Sequence, residues 1–110
     1  MVLNKIEKDV FSKFLFEEVR LSFSESKLEL IDRTYTGVGF FTEIRTPQNF
    51  PLLYGGQSSV WGKVGATLNF GIEVGFLIFI DKGIPRAIEG YTYGDQSWPS
   101  SVKNFELYNL

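Results

Sequence analysis

The 110-residue chain contains no cysteine and no histidine. Without cysteine there is no disulfide, no thiolate nucleophile and no sulfur-ligated zinc or iron site. Without histidine, Ser-His-Asp and Cys-His nucleophile systems cannot be built, and the commonest metal ligand and neutral-pH base is missing. Long apolar runs are also missing: the longest covers residues 76–80, against the roughly 18 residues a membrane span requires. The opening Met-Val-Leu-Asn-Lys-Ile-Glu-Lys-Asp puts charges where a secretion signal would be apolar, and Val2 does not fit myristoylation. Charge of one sign is scarce as well. Eleven Lys plus Arg against thirteen Asp plus Glu gives a net charge of -2, which lacks the basic footprint of a phosphate-backbone binder. These absences predict a cytoplasmic protein with no membrane or nucleic-acid partner, no metal and no cofactor.

What the chain does have is rings and glycines. Aromatic residues make up 16% of it, led by eleven Phe, beside eleven Gly. Each ring buries a large area, so a chain this short can close a sizeable core. Two separate cores would each be too small to be stable, which predicts a single domain over residues 1–110. Hydrophobic residues at 44% and charged residues at 22% exclude a disordered or fibrous class.

One segment has helical period. Leu3, Ile6, Val10 and Phe14 recur at helix spacing, with Phe11 and Leu15 widening the stripe and Lys5, Lys8, Asp9, Ser12 and Lys13 on the other face. Asn4 and Glu7 have the spacing of a capping box, and the helix should fade near Arg20. From Lys27 onward the chain reads as strands punctuated by Gly, with nothing helical. Leu28, Leu30 and Asp32 alternate with Glu29, Ile31 and Arg33, and a second strand covers residues 38–46. Residues 47–59, with Pro47, Pro51, Gly55 and Gly56, form the longest loop. Strands follow at 60–70, 72–80 and 84–93, the second of them central, and a last one at 102–108. Asp81-Lys82-Gly83 is a hairpin connection between the 72–80 and 84–93 strands, and Pro85 implies a bulge or an edge. The fold class is therefore α+β: one N-terminal helix packed on a mainly antiparallel, hairpin-connected sheet of five to six strands.

Several motifs dissolve on inspection. Between Gly56 and Gly62 lie five residues, where a phosphate loop needs four, and Val64 stands where it needs Ser or Thr after Lys63. Thr36-Gly37-Val38-Gly39-Phe40-Phe41 lacks the basic and aromatic residues of an RNA-binding strand, and Gly62-Lys63-Val64-Gly65 falls inside a strand. Asp81 and Asp95 lack the spacing of a calcium loop. The hairpin places Gly75 near Glu89 and Glu73 near Tyr91, which puts Glu73 and Glu89 on one face at about 5–8 Å. Two such carboxylates are the equipment of a glycosidase, or two solvated acids on an exposed strand face. Densest of all is residues 89–99, where Glu89, Tyr91, Tyr93, Asp95 and Trp98 gather. Amphipathic rings beside acids have the composition of an interface hot spot; rings folded back over the end of the core would read the same way.

Gly75-Phe76-Leu77-Ile78-Phe79-Ile80-Asp81-Lys82-Gly83, then Ile88-Glu89-Gly90-Tyr91-Thr92-Tyr93-Gly94-Asp95 and Trp98-Pro99, resemble the small immunity proteins that accompany bacterial polymorphic or contact-dependent growth-inhibition toxins. The strand Thr36-Gly37-Val38-Gly39-Phe40-Phe41-Thr42-Glu43 is similar to a stretch of the same proteins, and residues 1–27 carry no likeness. The resemblance implies a non-catalytic protein that binds one cognate toxin domain and blocks it, as a monomer or weak homodimer. Its expected docking residues are Glu73, Glu89, Tyr91, Tyr93, Asp95 and Trp98. The alternatives are a small carboxylate-dependent hydrolase or isomerase using Glu73 and Glu89, and a homo-oligomeric structural subunit.

Overall fold

The computed structural model describes residues 2–110 and has the expected class, one long helix on an antiparallel sheet. Helix α1, Lys5–Glu18, begins where the spacing places it. The Asn4 side chain accepts from the Glu7 backbone N–H at 2.9 Å, and the Glu7 carboxylate accepts from the Asn4 N–H at 2.8 Å. Its apolar stripe, Ile6, Val10, Phe11, Phe14 and Leu15, is buried. The helix ends at Val19, just before Arg20 turns left-handed at φ 62°. A second helix, α2 at Phe23–Ser26, is one turn long and was not expected. It has its own capping box, Ser22 with Glu25, and the Ser-x-x-Glu spacing that encodes it lies open in the sequence.

Six strands follow: β1 Glu29–Tyr35, β2 Gly39–Arg45, β3 Ser59–Leu68, β4 Ile72–Asp81, β5 Ile84–Thr92 and β6 Phe105–Asn109. They form one sheet in the order β1-β2-β5-β4-β3-β6. Every neighbouring pair is antiparallel. β4, the most apolar strand, is central as expected. The loop between β2 and β3 carries a 3₁₀ turn at Tyr54–Gly56 and is pinned to the far hairpin by Leu53 N–H to Gly83 O at 2.8 Å and Gly83 N–H to Gln57 O at 3.0 Å. One face of the sheet supplies Phe40, Ile44, Trp61, Val64, Leu68, Phe76, Ile78 and Ile88 to the core, and α1 lies over that face. Phe14 meets Trp61 edge-on at 5.4 Å.

Among the described residues a single charged pair crosses this interface. Glu7 is completely buried, and its carboxylate accepts from Arg33 Nε at 2.9 Å, from Arg33 Nη2 and from the Thr42 hydroxyl, besides capping α1. A bulge between Leu30 and Asp32 turns Arg33 toward the helix. Buried ions persist when their lone pairs are all met, and this one is tied on four sides.

The β4–β5 register departs from expectation by two residues. The connection is a two-residue turn, Lys82 at φ 50° and Gly83 at φ 81°, so Asp81 pairs with Ile84. Both angles positive is the twist-matched hairpin geometry. Pro85 pairs with Ile80 and Ala87 with Phe79, leaving Arg86 as the extra residue of a bulge, which accommodates a proline in an interior strand. The two single-residue slips add, so every side chain keeps its expected face while its partner shifts by two residues. Gly75 therefore faces Tyr91, not Glu89, and Glu89 faces Leu77. Glu73 and Glu89 share a face, yet stand four positions apart along the ladder, about 13 Å at ~3.3 Å per residue. The close carboxylate pair that a glycosidase needs is not formed.

Candidate docking face

Among the described residues no helix covers the second face of the sheet; α1 and its apolar stripe lie wholly on the first. Alternation along the strands places Phe41 and Glu43 of β2, Glu89 and Tyr91 of β5, and Glu73, Leu77 and Phe79 of β4 on this bare side. Phe41 and Phe79 touch across it with centroids 5.9 Å apart. Their rings are half-buried by each other and by the sheet, while Val60 at the same level is 54% exposed.

Toward the other end, four residues make one row across the sheet: Tyr91 on β5, Gly75 on β4, Gly65 on β3 and Tyr108 on β6. Glycine in a strand interior marks a close approach, and here the approaching groups are the two rings. A Cβ on Gly75 would lie 2.4 Å from the Tyr91 hydroxyl, and one on Gly65 would lie 2.8 Å from the Tyr108 ring. The phenols lean inward from both sides over a two-glycine floor, so covering backbone that would otherwise be bare.

The next row carries the acid. Glu73 accepts from the Thr67 hydroxyl at 2.7 Å and from the Tyr108 hydroxyl. These two bonds, that of Tyr108 first, hold its carboxyl below the usual carboxylate range, while the same contact pushes the Tyr108 phenol up to about 12. Tyr93, the residue after the end of β5, is 43% exposed, with its ring perpendicular to that of Tyr91 at 5.7 Å. Partial burial, followed by the neighbouring Tyr93, raises the Tyr91 phenol.

Of the residues expected to form a docking surface, the structure brings Glu73, Glu89, Tyr91 and Tyr93 onto this face. Asp95 is exposed in the loop that follows β5. Trp98 stands apart. It packs edge-on against Phe40 at 5.1 Å, and its backbone N–H bonds the Gly37 carbonyl at 2.8 Å, which ties the 93–104 loop to the β1–β2 turn. There it lines a cavity of about 590 Å³ beside the start of α1, with Ile6, Tyr35, Val102 and Phe105. Sequence reasoning missed Tyr108, Thr67, Phe41 and Phe79. The glycines at 65 and 75 were the available sign of a close approach, but Tyr108 becomes their neighbour only through β3–β6 pairing, which no turn signal announces.

No group of three or more acidic, histidine or cysteine side chains is placed to hold a metal ion among the described residues. Nor, among the described residues, is any helix long and apolar enough to cross a membrane. Compared with known proteins, the chain matches no protein-family model, no curated protein and no solved structure.

Proposed function

We propose that this is a non-catalytic binding protein that docks a cognate bacterial toxin domain on its bare sheet face and occludes that domain's active site. The observation that carries the reading is the face itself. A half-buried layer of Phe41, Leu77, Phe79, Tyr91 and Tyr108 lies open among Glu43, Glu73, Glu89 and Glu106, with no helix or strand of the described residues over it. Rings of this kind anchor interfaces, and carboxylates around them favour a cationic partner and disfavour a second copy of the same face. The resemblance to immunity proteins rests on the same strands, β2, β4 and β5, and a toxin that handles phosphates presents such a cationic cleft.

The test is co-expression with the toxin encoded beside this gene. The wild-type chain should protect cells fully. A folded Glu89→Lys, Tyr93→Ala double variant should lose protection, since a central ring is worth about 2 kcal/mol or more and the charge reversal turns attraction into repulsion. Full protection by that variant would sink the surface.

A further inference from the structure

We infer that the cluster Tyr91, Tyr93, Tyr108 and Glu73 is a receptor for one arginine side chain of the partner. This deepens the reading of the bare face as a docking surface and rests on it. The perpendicular rings of Tyr91 and Tyr93 make a two-walled corner at the end of β5. Tyr108 approaches from the opposite edge of the sheet, its ring over Gly65 and its hydroxyl bound to Glu73. Glu73 stands between them, exposed, on the row adjoining the two glycines. Phenol faces attract a cation placed over them, most strongly one that sheds water easily.

The carboxylate is free for such a guest. None of the ion pairs among the described residues involves Glu73; they join Lys5 to Asp9, Arg33 to Glu7 and Arg45 to Glu29. A carboxylate offers about four acceptor positions, and the internal bonds use one on each oxygen, from Thr67 and from Tyr108. One position therefore stays open on each oxygen. Two parallel acceptors match the forked donors of a guanidinium, and the same planar group stacks on a ring. A lysine ammonium is a compact, strongly hydrated point charge and uses neither property fully. The internal bonds also fix the carboxylate before a guest arrives, which reduces the ordering cost of binding.

The experiment uses the intact isolated protein, isotope-labelled, titrated with Nα-acetyl-arginine methylamide and followed by nuclear magnetic resonance at the tyrosine rings and the glutamate carboxyls. Saturable shifts at Tyr91, Tyr93, Tyr108 and Glu73 are expected. They should be roughly fivefold weaker in affinity for the neutral citrulline analogue, the share a ring-stacked charge contributes at an exposed site. Glu73→Gln and Tyr93→Leu, both on exposed side chains and checked for fold by the same spectra, should each weaken the affinity several-fold. Equal binding of citrulline, no ring shifts at all, or undiminished binding by Glu73→Gln would overturn the assignment. Failure here with the toxin still neutralised removes the arginine site and leaves the docking face standing. Success here with full protection by the Glu89→Lys, Tyr93→Ala variant removes the docking face instead.

Discussion

Glu7 ties three elements together at one buried carboxylate. It closes the cap of α1 with one bond and holds Arg33 and Thr42 with the others, so helix, β1 and β2 meet at one carboxylate. Removing Arg33 would leave that charge buried without its partner. Arg33→Met should therefore cost about 3–5 kcal/mol in urea denaturation, more than Arg45→Met, whose partner Glu29 is exposed. Tyr108 offers a second residue-level check. Its phenol is raised from 10 to about 12 by the bond to Glu73, so the bond's contribution is whole below pH 10 and is lost as pH climbs through about 12. Glu73 is lowered, so its share is present above the ordinary carboxylate range and is lost as pH falls below it. Ultraviolet titration should find one phenol ionising near 12 that disappears in Tyr108→Phe, and the same variant should return the Glu73 carboxyl toward its ordinary value.

At the scale of elements, the β4–β5 hairpin depends on two devices two residues apart. Gly83 sits at φ 81°, and a Cβ there would lie 2.6 Å from the Leu53 carbonyl oxygen. Gly83→Ala should cost about 2 kcal/mol, read as a lowered denaturation midpoint, with the loop at residues 47–59 loosened because Leu53 and Gln57 bond to this turn. The hairpin also marks how far the sequence could be read. α1 was legible in its stripe and capping box, and the strands in their β-branched and aromatic runs. The register was not, because whether Asp81-Lys82-Gly83 turns on two residues or three, and whether Pro85 bulges or edges, are decided by packing against neighbours. The faces survived since two odd slips make an even one, which is why Glu73, Glu89, Tyr91 and Tyr93 still share a side. Trp98 was not placeable: an aromatic in a loop carries no period, and only its bond to Gly37 and its contact with Phe40 send it to the helix side.

For the whole molecule, a net charge of -2 gives little long-range field, so on the proposed reading steering of the toxin domain would come from the local acidity of the bare face. That makes it short-ranged, within a Debye length of about 10 Å at 0.1 M salt. Association of the toxin domain should slow as salt rises, by stopped-flow or surface binding. Glu89→Lys should flatten that dependence by acting on the on-rate, while Tyr93→Ala should act on the off-rate. Equal salt slopes for wild type and Glu89→Lys would place the charge contact elsewhere.

Synthesis runs from the N-terminus, and the strand order β1-β2-β5-β4-β3-β6 sets what a growing chain must wait for. α1 leaves the ribosome before any strand, with Ile6, Val10, Phe11, Phe14 and Leu15 already aligned, while β3, β4 and β5, which supply much of the core it packs into, come out later. β2 likewise waits with an open edge for β5. At ~5–20 residues per second that interval is on the order of several seconds, long compared with the formation of a helix or a hairpin. During it the nascent chain is an apolar helix and an unpaired hairpin edge, the kind of exposed surface that favours aggregation. The folded protein hides both of those surfaces, the stripe under the sheet and the β2 edge against β5, and keeps a different one open.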